Sequence, residues 1–478
     1  MNRLSPVLAI FLCMAPAAPG QILPDLGDVS QSELTPQVER RLGESIMREV
    51  RADRSYSDDA EITDYLNTLG YKLVAASADS RQEFNFFLIN DPQVNAFALP
   101  GGFVGINSGL ILTAQSESEL AGVVSHEVAH VTQRHMARML AQQKQSQILS
   151  LAALAVAILA ARSNPDVSSA AIMASQASVV QSQLNYTRDH EREADRVGFQ
   201  VLEKAGFDAH AMALFFERMQ RSTRFYESNA PAYLRTHPIT YERIADMQNR
   251  AQNLPYRQVP DSLEFQLMRA KIRAAQDTPQ TSVAFFEENL VERKYLSEIA
   301  SRYGLVSALI RTKNYARAGK ELQALRQALP TSPAVDTLTA RFYLASGDTK
   351  TALQTYRDAL KSHPGYRALI YDYATTLLDN REAGEALKLV ESRLQYAGTD
   401  SRLYELQARC YAALDKRLPQ HRAQAEAYIR LGNLREAIEQ LMLAQKSGDG
   451  DFYQQSSVDA RLRELRVMEE AARRDNKK

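Results

Sequence analysis

The sequence predicts a mainly α protein in two parts: helices gathered around a small β-sheet, then an all-helical solenoid. Three observations predict it. His126-Glu-Val-Ala-His130 sits in an apolar-periodic segment from Leu120 to Leu140, Glu83-Phe-Asn-Phe-Phe-Leu-Ile89 alternates like a strand, and from Ala318 onward small and apolar residues recur every 34 positions.

At 478 residues and 45% hydrophobic content, the chain can build two or more domains with cores of their own. Lys+Arg and Asp+Glu both number 57, so no net positive field exists to hold a polyanion, and nucleic acid is excluded as a partner class. Residues 1–20 carry Arg3, an apolar run from Val7 to Met14 and small residues at Ala15, Ala17 and Ala18. That is the pattern of a cleaved secretory signal, and its apolar run is too short to span a bilayer. Ile10, Phe11 and Leu12 before Cys13 do not fit a lipoprotein signal. Without this segment Cys410 is the sole cysteine, so no intramolecular disulfide can form, and it is expected as a buried helix residue.

The first part is expected to cover 35–255. Pro36–Val50 and Asp58–Ala76 have helical periodicity, the second with Ser57 as its expected N-cap. After the strand at 83–89, Asn90-Asp91-Pro92 is turn chemistry, and Asn95-Ala-Phe-Ala-Leu-Pro-Gly-Gly102 with Phe103–Asn107 reads as two strands around a Pro-Gly-Gly turn. An extended substrate could add to this hairpin, which makes Asn95, Ala96 and Phe97 candidate substrate-binding residues; an internal hairpin without a substrate role reads equally well.

Ser116 with Glu119 three residues on is a capping box that starts the next helix. On it, His126 and His130 fall one turn apart on one face, where two neutral imidazoles can hold a zinc ion. Glu127 is rotated about 100° from His126, so it can reach a zinc-bound water without ligating the metal. Val128 and Ala129 between the histidines are apolar, as a buried helix requires.

Ile148–Ala161 is mostly apolar but too short to span a membrane. It reads as an amphipathic helix that covers a cleft or touches a membrane surface, or equally as a core helix. Further on, Glu191 and Asp195 share a helical face while Glu193 points elsewhere, with Ala194, Val197 and Leu202 supplying an apolar stripe.

The second part is expected to cover 262–478. Ala318, Ala352 and Ala386 are 34 apart, as are Leu322, Tyr356 and Val390, and Ala340, Ala374 and Ala408. That is the tetratricopeptide period. Gly347 and Gly432 are expected as turns between helices, Ser262–Leu290 as an atypical first unit, and Asp415–Arg422 as an irregular insertion. Such stacks bind other chains along their concave surface.

Asn95–Gly102, His126–His130, Glu191-Arg-Glu-Ala-Asp195 and Thr236-His-Pro238 together resemble the ordered motifs of the HtpX-like and CAAX-prenyl-protease-like zinc metallopeptidases. With a secretory signal in front and repeats behind, the whole chain resembles the periplasmic β-barrel assembly-enhancing proteases of Gram-negative bacteria. The resemblance implies a zincin-type domain with one Zn²⁺ per chain on His126, His130 and Glu191, Asp195 supporting the first histidines, and Glu127 as general base. It implies that His237 lies on a loop close to the metal, where it occupies the open position or stabilises the intermediate, with Arg243 approaching the site. A helix-capping histidine is the plainer reading of His237. The implied partners are outer-membrane β-barrel proteins, their assembly machinery and the lipopolysaccharide-transport barrel. The expected function is therefore a periplasmic zinc endopeptidase with chaperone-like activity. Its rival is a non-catalytic assembly factor with a structural metal site, which would have no need of Glu127.

Overall fold

The computed structural model describes residues 35–79, 82–141, 188–223, 232–252, 254–255 and 257–475. The expected signal at 1–20 and the apolar run at 148–161 lie outside them.

α1 (Pro36–Ala52) starts with Thr35 as N-cap and a proline in the first turn. β1 (Tyr56–Ser57) leads into α2 (Ala60–Ala76). The N-cap of α2 is Asp59, whose carboxylate accepts from the Glu61 and Ile62 N–H groups, rather than the expected Ser57, which pairs in the sheet with Leu88. A carboxylate two residues nearer the helix outcompetes a hydroxyl committed to a strand.

β2 (Asn85–Ile89), β3 (Ala96–Leu99) and β4 (Phe103–Asn107) complete a four-stranded sheet in the order β1-β2-β4-β3. β2 and β4 are parallel, while β3 and β4 form the expected antiparallel hairpin. Gly101 and Gly102 between them have φ of +76° and +84°, a left-handed pair that only glycine adopts without strain. Alternation divides the sheet: Phe87, Ile89, Leu99 and Phe103 pack on α1, whereas Phe86, Leu88, Ala96, Ala98, Val104 and Ile106 join the main core. β3 is an edge strand, opposite β1, and its Ala96 and Ala98 lie on the main-core side of the sheet.

α3 (Ser108–Thr113) precedes α4 (Glu117–Thr132), which is buried all round from Glu117 to Val131. Ser116 Oγ accepts from the Glu119 N–H as expected; the returning Glu119 carboxylate accepts from the Gln115 N–H rather than that of Ser116, and is also gripped by Arg218. α4 ends at Thr132 and does not run to Leu140. Arg134, with φ of 53°, reverses the chain into α5 (His135–Ala141), a left-handed residue that costs roughly 1–2 kcal/mol. α6 (Arg188–Lys204), α7 (His210–Thr223), α8 (Ala232–Thr236) and α9 (Tyr241–Gln252) complete the first half.

The solenoid opens with the helix pair α10 (Leu263–Gln276) and α11 (Pro279–Glu292). It continues through α12 (Glu298–Arg311), α13 (Tyr315–Ala328), α14 (Pro333–Ala345), α15 (Thr349–Ser362), α16 (Arg367–Asp379), α17 (Ala383–Leu394), α18 (Ser401–Ala413), α19 (Arg417–Arg430), α20 (Leu434–Lys446) and α21 (Phe452–Asp475). Every residue of the three 34-residue series is buried. The turns obey the same period, since Lys313, Gly347, Arg381 and Asp415 all have positive φ. After each, the next N–H reaches back to the carbonyl five residues earlier, as in Asp348 to Tyr343 and Lys416 to Tyr411. Asp415–Arg422 is thus no insertion: it is an in-phase turn and the start of α19, hidden because an aspartate stands where a glycine would have marked it. Cys410 is buried as expected.

The two halves share one apolar cluster that runs without a break from Ile62 to Leu338. Glu117 at the start of α4 accepts from the Ser262 N–H (2.8 Å) and Tyr65 Oη (3.1 Å), while its own N–H donates to Asp261, so the helix carrying His126 is locked to the first solenoid helix.

Candidate active site

α4 supplies His126, Glu127 and His130, α6 supplies Glu191 and Asp195, and the turn after α8 supplies His237. α4 and α6 can approach because of Gly198, where a Cβ would stand 3.0 Å from both the Cα and the N of His126. A side chain there would push the acid-bearing helix off the histidine-bearing one.

Four donors converge, all on buried side chains and all within 4.8 Å of one another. His126 Nε2 lies 3.0 Å from His130 Nε2 and 3.5 Å from Glu191 Oε2; His130 Nε2 lies 3.3 Å from Glu191 Oε1. His237 Nδ1 is 3.3 Å from His126 Nε2 and 2.9 Å from Glu191 Oε1. For metal–ligand bonds of about 2.0–2.1 Å, tetrahedral donors stand roughly 3.3 Å apart, so this set fits a metal ion. The second nitrogens strengthen the fit. His126 Nδ1 is 3.0 Å from Asp195 Oδ1 and His130 Nδ1 is 2.9 Å from His135 Nδ1. Protons placed on those nitrogens leave two Nε2 lone pairs facing each other at 3.0 Å, an arrangement that a cation between them makes favourable.

Arg243 ties the acids together. Its Nε and Nη2 donate to Asp195 at 2.6 and 2.7 Å, and its Nη1 lies 2.9 Å from Glu191 Oε2 and donates to the Pro238 carbonyl at 2.8 Å. Burial opposes the charge on Asp195, but Arg243 outweighs it and holds the carboxyl below its ordinary range. Burial likewise opposes the charge on Glu191, where His237 and the other two histidines prevail.

Glu127 differs from both. It is fully buried, makes loose approaches to His237 Nε2 (3.4 Å) and the Ala98 main-chain N–H, and neither oxygen has a formed hydrogen bond. Burial raises its pKa. A buried carboxylate left so free is costly as structure and suited to moving a proton.

Asn95 immediately precedes β3, and Ala96 and Phe97 begin that edge strand. The Phe97 ring packs on Phe87 at 6.0 Å, on the α1 side of the sheet, while Ala96 and Ala98 lie on the main-core side and the Ala98 main-chain N–H faces Glu127. Glu193 lies apart from the four donors and bonds His135 and Arg138, both at 3.0 Å; His190 stacks on His135 and likewise stands outside the metal set. Two neighbours escaped the sequence reading. Tyr233 lies 5.0 Å from the His237 ring, with a buried hydroxyl lacking a hydrogen-bond partner among the described residues. His135 sits against His130 because of the Arg134 turn, which no glycine announces.

The Peptidase family M48 model matches residues 61–251, and a tetratricopeptide repeat model matches 343–410. The Escherichia coli K12 β-barrel assembly-enhancing protease is 32% identical over 451 residues, covering 94% of this chain and 92% of that protein. The chain belongs to the β-barrel assembly-enhancing proteases of peptidase family M48. A Vibrio cholerae relative, provisionally given the same name, is 45% identical over 252 residues, so the alignment takes in about half of each chain. The mitochondrial metalloendopeptidase OMA1 of Schizosaccharomyces pombe is 28% identical over 209 residues, 43% of this chain and 59% of that protein. The protein is a metalloprotease, and the cluster at His126, His130, Glu191 and His237 falls inside the matched peptidase region.

Proposed function

We propose that this metalloprotease is a periplasmic zinc endopeptidase, with one zinc per chain on His126, His130 and Glu191, that cleaves misassembled outer-membrane β-barrel proteins and chaperones their assembly. The observation that carries the reading is the convergence of three buried donors beside Glu127, a buried carboxylate with no formed hydrogen bond. Two imidazoles and a carboxylate at tetrahedral spacing suit zinc. Held by His126, His130 and Glu191, a zinc ion would supply Lewis-acid chemistry, polarising a scissile carbonyl and acidifying the attacking water.

Glu127 takes the proton of that water and delivers it to the leaving amine, a shuttle helped by the burial that raises its pKa. Asp195 fixes the ring of His126, and Arg243 fixes Asp195 and Glu191. The β3 edge, through the main chain of Asn95, Ala96 and Phe97, pairs with an extended substrate and brings its carbonyl toward Glu127. His237 is a mobile fourth donor that restrains the site at rest, since hydrolysis needs one position for water.

The client class follows from the names of the relatives, and the solenoid at 262–478 offers the surface that recruits barrel proteins, including the lipopolysaccharide-transport barrel, and their assembly machinery to the peptidase domain at 35–255. Residues 1–20 as a cleaved signal support the periplasmic assignment, and 148–161 is the segment proposed to touch the membrane surface. No helix among the described residues is long and apolar enough to cross a membrane. The test is metal analysis of the purified chain with degradation of an unfolded barrel protein before and after chelation. One zinc per chain, and cleavage that chelation stops and zinc restores, is the expected result; cleavage indifferent to chelation contradicts the reading.

A further inference from the structure

His135 stands five residues beyond His130. In a continuous helix it would lie about 140° around the axis and face away. The reversal at Arg134 instead folds it back, so that His135 Nδ1 lies 2.9 Å from His130 Nδ1 and its Nε2 lies 3.0 Å from Glu193 Oε2. His135 is fully buried, and its ring stacks on His190 with centroids 4.5 Å apart and planes 17° from parallel. Glu193 is held at the outer end by Arg138 at 3.0 Å.

The ring protons of this chain follow from its two ends. His130 turns Nε2 toward the other donors, so its proton is on Nδ1 and is donated to His135 Nδ1. His135 then carries its proton on Nε2 and donates it to Glu193. Every step has one donor and one acceptor.

We infer that His135 and Glu193 form a positioning pair for the metal site, holding His130 in the Nδ1–H tautomer and in the ring orientation that presents Nε2 to the metal. The two histidines of the motif are then oriented by different devices: His126 by the Asp195 carboxylate directly, His130 by an imidazole backed by a carboxylate. Partners of this kind raise ligand basicity and remove the freedom of the ring to turn. This rests on the reading of His126, His130 and Glu191 as zinc ligands.

The test is zinc titration of the full apo chain against a competing chelator. His135→Phe keeps the apolar contacts and removes the acceptor, so zinc affinity should fall about 10- to 100-fold while the circular dichroism spectrum is unchanged. His135→Asn, which sets a carbonyl oxygen near the position of Nδ1, should restore most of that loss. Likewise Glu193→Leu should weaken zinc binding and Glu193→Gln, which still accepts, should not. Where His135→Phe fails to fold, the Glu193 pair decides, since that side chain is 27% exposed and tolerates exchange. Affinity within twofold of wild type in folded His135→Phe overturns the proposal, as does His135→Asn no tighter than His135→Phe, or equal affinity in the two Glu193 variants. A wild-type chain that takes up no zinc overturns the ligand reading itself, and the pair with it.

Discussion

Arg243 reaches both Glu191 and Asp195 on α6, and that sets what each of these carboxylates does. Asp195 is spent on Arg243 and the outer nitrogen of His126, whereas Glu191 keeps an oxygen within 3.5 Å of each of three imidazoles. Glu191→Gln should therefore lower zinc affinity by more than about 100-fold, beyond the usual cost of losing an outer partner. Glu193→Gln should stay near wild type; the reverse order in a chelator titration would show the wrong carboxylate to be the ligand. For His237, whose Nδ1 joins the donors from a turn rather than a helix, His237→Ala should keep zinc and raise self-cleavage and client turnover at matched occupancy. Loss of most bound zinc, or unchanged rates, contradicts a restraining role. His126, Glu127 and His130 were legible at this scale because one helical turn fixes their geometry, and Glu191, Asp195, His237 and Arg243 only through ordered motifs of a known family. Tyr233 and His135 were not legible, since neither belongs to a motif and both reach the site through turns.

At the scale of elements, the site depends on two helices lying unusually close. Gly198→Ala places a methyl group 3.0 Å from the His126 backbone, and the helices must part. The expected cost is about 1–3 kcal/mol, seen as a lower melting temperature of the apo chain, together with weaker zinc binding; melting and binding equal to wild type would refute the contact. The strands were readable because Phe86, Phe87, Leu88 and Ile89 alternate between two cores, and the solenoid because alanines at helix contacts tolerate nothing larger. Chain reversals were readable at Gly347 and Gly432 and unreadable at Arg134 and Asp415, where tertiary packing imposes a left-handed conformation on residues that do not prefer it. Without a glycine at either place, the sequence pattern runs α4 on toward Leu140 and makes Asp415–Arg422 look like an insertion.

Across the whole molecule, the solenoid returns to the peptidase half along the start of α2. Glu61, buried there, meets Lys271, Tyr366 Oη at 3.0 Å and Arg341 at 3.2 Å, while Arg402 reaches Asp58 at 2.7 Å and Arg367 reaches Asp64 at 2.5 Å. No single-sequence pattern announces such contacts, because their partners lie more than 200 residues apart. Burial alone would raise the pKa of Asp59, but Lys271 outweighs it and keeps the carboxyl below 3.8. A carboxyl depressed on folding contributes stability above its unfolded pKa and loses it as pH falls through the folded value, so the contact is intact at pH 7 and fades below about pH 4. Lys271→Met should accordingly lower the melting temperature at pH 7 and much less at pH 3; equal losses at both would exclude this ion pair as the source. In the proposed mechanism Glu127 moves the proton in a zinc-dependent hydrolysis that the rest of the fold serves. That role is tested most directly by comparing wild type with Glu127→Gln for zinc content and for degradation of an unfolded β-barrel protein. One zinc per chain in both, with cleavage by the wild type alone, is the expected result; a zinc-replete Glu127→Gln chain that cleaves at the wild-type rate would overturn the proton-transfer role of Glu127.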